Sequence, residues 1–246
     1  MIKAPMGQCE ICPLQNAIFV PSELHDKSKV LFLAEAPGFH EAKEGRPLVG
    51  VAGQDFNDIL IECGGTREDG NYVNAVTCRP TKVVEGKTYN RTPNDAEIKL
   101  CNDRLALEIE TLQPTIIVCM GKVPYVALGG DPKMAMKDVV GTRLLWRNRY
   151  DVLVTYHPAA VAHSGGRNTE RGKDIRGKIR LAIATALASK HIDRQLMLVE
   201  LPQSQDSHLQ PILAEMKRFR ELCKKWWDNS EQCQTCKQKF YCYPDD

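Results

Sequence analysis

Along this 246-residue chain the hydrophobic pattern keeps switching between short continuous apolar runs and longer stretches where apolar residues recur every three or four positions. The runs Val30–Leu33, Tyr72–Val76, Thr115–Cys119 and Asp151–Tyr156 read as buried strands. Between them, Phe56, Ile59, Leu60 and Cys63 mark one face of a helix over Gln54–Cys63. Ile98, Cys101, Leu105 and Ile109 mark a second over Asp95–Thr111, and Ile175, Ile179, Ile183 and Leu187 a third over Lys173–Ser189. A short helix follows Met120-Gly121, and a turn at Gly141 separates two edge-like segments. Stretches rich in Gly and Pro (37–53), in polar residues (79–94) and in Ser, Gly and Arg (163–172) read as loops. Strands alternating with helices of this length predict an α/β fold in three layers, α/β/α, around a central, mainly parallel four-stranded sheet.

The pattern changes after about residue 195, where Leu201-Pro202-Gln203-Ser204 reads as a linker, Leu209–Trp227 as a helix and the rest as a cysteine-dense tail. The expected division is a main domain over 1–195 and a small helical, Cys-rich extension over 196–246. A hydrophobic content of 43% supports an ordinary buried core, and a net charge of +2 permits a local nucleic-acid patch without demanding one. The apolar runs fall short of the roughly 18 residues a membrane span needs, and the first residues carry no apolar leader, so a cytoplasmic location is expected.

Chemistry enters at the ends of the strands. Val30–Ala34 drives straight into Glu35, then into a turn at Pro37-Gly38; Val152–Tyr156 ends likewise in His157-Pro158. In an open α/β sheet ligands bind outside the carboxyl ends of the strands, so a carboxylate and an imidazole there make a candidate catalytic pair. Ten cysteines in such a chain point to metal or redox chemistry rather than to a disulfide frame. Cys9 and Cys12 are spaced C-x2-C, Cys233 and Cys236 repeat that spacing, and Cys242 follows. Cys63 and Cys119 lie on apolar faces and read as buried thiols.

Taken in order, Glu35-Ala36-Pro37-Gly38, Gly45-Arg46-Pro47-Leu48-Val49-Gly50, Tyr72-Val73-Asn74 with Cys78-Arg79-Pro80, Asn90-Arg91-Thr92-Pro93 with Glu97 and Cys101, and His157-Pro158-Ala159 resemble the motifs of the family 4 uracil-DNA glycosylases, the iron–sulfur branch of that superfamily. The likeness covers roughly residues 9–190. It implies a monofunctional DNA glycosylase that hydrolyses the N-glycosidic bond of a flipped uracil with water as nucleophile. Breaking that bond builds positive charge on the sugar and negative charge on the base, so an anion near the one and donors near the other are both needed. Glu35 suits the first task and the orientation of water, His157 suits donation to the leaving base, and the Asn74 amide suits the edge of a flipped base. The resemblance gives these positions those roles and adds Ala36, Gly38, Glu41 and Leu48 to the base pocket, Glu41 on the C5 side. It makes Cys9, Cys12, Cys78 and Cys101 the ligands of a [4Fe–4S] cluster; from donor type alone, zinc is the alternative.

Three features depart from the family. Leu48 stands where an aromatic usually stacks on the base, a contact worth about 1–3 kcal/mol. Ala159–His163 is a poor duplex wedge, and Thr81–Tyr89 inserts a basic, Gly-containing loop. Together they raise an alternative substrate, a bulkier modified base; an alternative of another class is a non-catalytic base-binding module. The expected partner is DNA, single- or double-stranded, bound by a monomer. Lys82, Lys87, Arg91, Arg167, Arg171 and Lys173 are candidate phosphate contacts. In the tail, Cys223, Cys233, Cys236 and Cys242 are candidates for a second metal site, an iron–sulfur cluster or zinc, in a segment that contacts nucleic acid or a protein partner.

Overall fold

The computed structural model describes residue 4 and residues 6–189. The tail over 196–246, with its expected helix and Cys223, Cys233, Cys236 and Cys242, lies outside the described residues. The strands are β1 (Val30–Ala34), β2 (Asn71–Asn74), β3 (Thr81–Val84), β4 (Lys87–Asn90), β5 (Ile116–Met120), β6 (Arg143–Trp146) and β7 (Tyr150–Thr155). The helices are α1 (Phe39–Glu44), α2 (Val51–Glu62), α3 (Asp95–Leu112), α4 (Lys122–Ala127), α5 (Met136–Val139), α6 (Ala159–His163) and α7 (Glu170–Ser189).

The main sheet has the order β2-β1-β5-β7-β6. Its first four strands, those expected from the apolar runs, are mutually parallel. A fifth strand, β6, joins antiparallel to β7, so the sheet is one strand larger than expected. The two are joined through Arg147 (φ 51°) and Asn148 (φ 53°), consecutive left-handed residues of the kind that reverse a hairpin tightly.

Pleating sorts the core into two layers. Val30, Phe32, Ile116, Val118 and Met120 pack with Phe56, Ile59 and Leu60 of α2 and with Ile175, Ile179 and Ile183 of α7. Their neighbours Leu31, Leu33, Ile117, Cys119, Val152 and Val154 pack with Ile98, Leu105 and Ile109 of α3 and with Val123 and Tyr125 of α4. Strands covered on both faces must be apolar throughout, which is why they read as unbroken runs.

Two helices begin earlier than their apolar periodicity predicts, for one reason. A Cβ on Gly53, in the first turn of α2, would lie 2.1 Å from the Leu48 carbonyl, and one on Gly172, in the first turn of α7, 2.0 Å from the Gly166 oxygen. Both glycines are buried at core-facing positions where backbone meets backbone, so no apolar side chain marks the turn. The 79–94 segment, expected as a polar loop with the insertion Thr81–Tyr89, is a second correction: it holds the two-stranded hairpin β3–β4, reversed at Glu85 (φ 50°) and Gly86 (φ 74°).

Candidate active site

The four parallel strands present their carboxyl ends along one edge, and the chain leaves β1 towards β2 on one side and later returns to β5 on the other, which opens a crevice at those ends. Glu35 follows β1, Asn74 closes β2, Gly121 follows β5 and His157 lies two residues beyond β7. Ala34 is in register with Asn74. Beyond the ladder, the Ala75 N–H donates to the Ala34 carbonyl (2.9 Å) and the Val76 N–H to that of Glu35 (3.1 Å), which fixes the first two mouths to one another. Gly121 donates to the Thr155 carbonyl (2.9 Å) and holds φ 99°; a Cβ there would come within 3.1 Å of the His157 Cβ, so only glycine fits under the imidazole.

Burial pushes the Glu35 carboxyl above its ordinary value, partly offset by a hydrogen bond from the Thr92 side chain. Burial also dominates at His157 and drives it down to about 4; the negative charge of Glu41 opposes this and His163 reinforces it. Its Nδ1 accepts the backbone N–H of Ala159 (3.2 Å). An imidazole that is neutral and accepts at Nδ1 carries its proton on Nε2, so His157 presents one N–H donor.

The other expected pocket residues divide by what already holds them. Ala36 is half-buried and Asn74 is buried. Glu41 accepts backbone N–H groups from Gly38 (3.1 Å), Val49 (3.1 Å) and Gly50 (2.7 Å), so its carboxylate clips both ends of the 38–50 loop. Gly38 leaves it room: a Cβ there would lie 2.8 Å from Glu41 Oε2. Leu48 holds φ 53° and is only 5% exposed, its side chain within the α2/α7 core layer. This strained backbone is held from outside, because Arg67 donates to the carbonyls of Pro47 and Leu48. Arg67 also forks onto Glu23 (2.8 and 2.9 Å), which Arg46 meets from the other side. These bonds hold the Glu23 carboxyl down at about 2 against its burial. Neither Glu23 nor Arg67 carries a local sequence signal for this, being 44 residues apart.

Cys9, Cys12, Cys78 and Cys101 line one cavity, and none of the described cysteines is in a disulfide. Burial opposes ionisation of Cys101, but the adjacent Arg104 charge and the Thr77 hydrogen bonds outweigh it and hold the thiol below its ordinary value. Cys12 Sγ accepts the Leu14 N–H (3.4 Å) and Cys101 Sγ an Arg104 N–H (3.6 Å). Among the described residues no three His, Cys, Asp or Glu groups converge closely enough for a single ion. Four thiols lining one cavity, with hydrogen bonds to sulfur, are the donor set an inorganic cluster or a metal ion takes. Cys119 is buried as expected, whereas Cys63, at the end of α2, is only half-buried; desolvation pushes both thiols up.

Two expected phosphate contacts are engaged within the chain. Arg91 pairs with the fully buried Glu97, and Arg167 pairs with Asp55 (2.9 Å) and Asp58 (2.7 Å), which ties the segment after α6 to α2. Lys82, Lys87, Arg171 and Lys173 are exposed. Ala159–His163, read from sequence as a poor wedge, forms α6. None of the described helices is long and apolar enough to cross a membrane.

The chain matches the family described as the Uracil DNA glycosylase superfamily over residues 21–176. It is 36% identical to a protein of Pyrobaculum aerophilum named type-4 uracil-DNA glycosylase, across 68% of this chain and 86% of that one. A protein of the same name from Saccharolobus solfataricus is 34% identical across 78% of this chain and 88% of its own. Another, from Thermotoga maritima, is 31% identical across 70% and 86%.

Proposed function

The chain belongs to the uracil DNA glycosylase superfamily, in its type-4 branch, and from that membership we propose that it hydrolyses the N-glycosidic bond of uracil in DNA with Glu35 and His157 as catalytic residues. The observation that carries this assignment of roles is the pairing, at two mouths of one parallel sheet, of a desolvated carboxyl with an imidazole kept neutral and fixed in one tautomer.

The bond between sugar C1′ and base N1 breaks with its electron pair passing to the base, while water attacks C1′ from the opposite side. Ionised Glu35 stabilises the positive charge that gathers on the sugar and accepts the proton that water gives up. His157 donates Nε2–H to the carbonyl oxygen where negative charge collects on the departing uracil. A neutral donor suits this work, because it stabilises the anion without requiring a proton from bulk water. Asn74 pairs with the base edge through donor and acceptor on one amide. The uracil anion takes up one proton, equivalent to the one water gave to Glu35, so that Glu35 is again ionised and the products are free uracil and an abasic deoxyribose. Cys9, Cys12, Cys78 and Cys101 would hold a [4Fe–4S] cluster, which has no step to supply in a hydrolysis and would tie the N-terminal lead to α3 and to the segment after β2.

The test is a uracil-containing oligonucleotide, single- and double-stranded, treated with the protein and then with alkali. Strand breaks at the uracil and free uracil in the supernatant are expected; intact DNA of both kinds, with iron bound normally, overturns the reading. The same assay on DNA carrying bulkier modified bases tests the alternative substrate class.

A further inference from the structure

Arg104 is fully buried, and a buried guanidinium is costly unless every side of it is answered. Its Nη1 donates to Glu108 Oε2 (2.8 Å), an oxygen that also accepts the Ser22 hydroxyl (2.9 Å). Its Nη2 donates to the backbone carbonyls of Asn74 and Ala75, each at 2.7 Å, and reaches Cys101 Sγ at 3.6 Å. The planar fork of arginine permits this spread; a lysine ammonium has no such geometry.

The position of those carbonyls gives the contact its meaning. On one edge, residues 75 and 76 donate their N–H groups to Ala34 and Glu35 of the neighbouring mouth. β2 is the outermost strand of the sheet; the segment before β1 bridges it at Tyr72 through Glu23 and bridges the chain again at Cys78 through Phe19, and between those two bridges Arg104 takes the carbonyls of 74 and 75. The short segment that carries Asn74 is therefore gripped from both sides, and the same grip reaches the Glu35 backbone through Val76. Four residues further on, the chain arrives at Cys78, and Cys101 lies one turn before Arg104 on α3.

We propose that Arg104 is a positioning residue: it fills the gap between the two edge bridges at the mouth of β2, sets the Asn74 amide and the Glu35 backbone for base recognition, and joins that mouth to the cysteine site. The inference rests on the glycosylase reading for its consequence in catalysis, but the restraint itself is measurable without substrate.

The test compares wild type with Arg104→Met/Glu108→Gln, which removes both buried charges, keeps the approximate volume and leaves Ser22 a partner. Iron content and thermal melting report the fold. Hydrogen exchange at the Ala75 and Val76 amides reports the restraint, and single-turnover uracil release, beside affinity for undamaged DNA, reports its use. The expected result is a folded, iron-containing protein whose 75 and 76 amides exchange about tenfold faster or more. Its uracil release slows about tenfold or more, while affinity for undamaged DNA is kept. Arg104→Lys, which retains charge but not the fork, should fall between the two. Unchanged exchange at 75 and 76 overturns the proposal whatever the activity. A loss of rate matched by equal losses of iron, melting temperature and undamaged-DNA affinity also overturns it, since that is a structural role alone. Should the double variant fail to fold, Arg104→Lys decides: wild-type exchange and rate in that variant contradict the need for the fork. Absence of uracil release by wild type with fast exchange in the variant would sink the glycosylase reading and leave the restraint standing.

Discussion

The mouths of β1 and β7 meet the same physical condition and answer it in opposite ways. Each ends a largely buried strand and holds a half-buried ionisable side chain that is shielded from much of the bulk water. Desolvation favours the neutral form of both, so the Glu35 carboxyl is pushed up and the His157 imidazole down. For His157 the neutral form is the working form, and the Ala159 N–H on Nδ1 completes it by fixing the tautomer. For Glu35 the charged form does the work, so its surroundings oppose it until positive charge develops on the sugar. One side of the site is ready before substrate arrives, and the other gains its strength from the transition state. An anion that is disfavoured in the free protein and rewarded as the bond breaks contributes to rate rather than to binding.

The severest test of this asymmetry is Glu35→Gln, which keeps the shape and removes the charge. It should cost about 10²–10³ in uracil release, or more, with DNA affinity nearly unchanged, as read by single-turnover kinetics and by binding to uncleaved DNA. Next comes His157→Ala, expected to cost about 10², because one preorganised donor to the base is removed. Its effect should be nearly constant with pH above about 5, since the imidazole it removes is already neutral there. A His157→Ala effect that grew as pH fell from 8 to 6 would mean a protonated histidine and would break the comparison. Cys12→Ser separates the mouths from the cysteine site: iron content and melting temperature should drop, with a smaller fall in rate and no change in the shape of the pH profile. The mildest effect is expected at the hairpin. There Lys82→Glu with Lys87→Glu should lower the slope of log affinity against log salt by about 1 for each DNA phosphate the hairpin no longer neutralises, and leave the chemical step alone.

Much of this site is legible in the sequence because strand mouths advertise themselves. An apolar run that stops at Glu35 or at His157-Pro158 states both the strand and the residue that it delivers, and the parallel order of the sheet then gathers those ends on one edge. Four parallel strands are legible for that reason, whereas β6 shows only as an edge-like segment after the turn at Gly141, because Arg143–Trp146 lacks the unbroken apolar run of a strand covered on both faces. The hairpin did leave a trace, since β-branched residues flank Glu85-Gly86, but its exposed, lysine-bearing strands look like a polar loop when burial is the criterion. Helix starts at Gly53 and Gly172 were hidden because close backbone approach is marked by a missing side chain. The groups that hold the site in place were least visible. Glu23 with Arg67, and Arg104 with the carbonyls of 74 and 75, are pairings across 29 to 44 residues, and a charged residue in sequence does not reveal that it will be buried against a distant backbone. Arg167 and Arg91 illustrate the converse, being basic residues beside the crevice whose charge is answered by Asp55, Asp58 and Glu97.

The measurement that bears most directly on the account is the single-turnover rate of uracil release as a function of pH, for wild type beside Glu35→Gln. Wild type should release uracil at a rate that declines as pH falls through the raised value of the Glu35 carboxyl, because protonation removes the working anion there while His157 remains neutral down to about 4. Glu35→Gln should be slow and should lose that acid limb. A wild-type protein that releases no uracil at any pH, or a Glu35→Gln protein that retains both the rate and the acid limb, would contradict it.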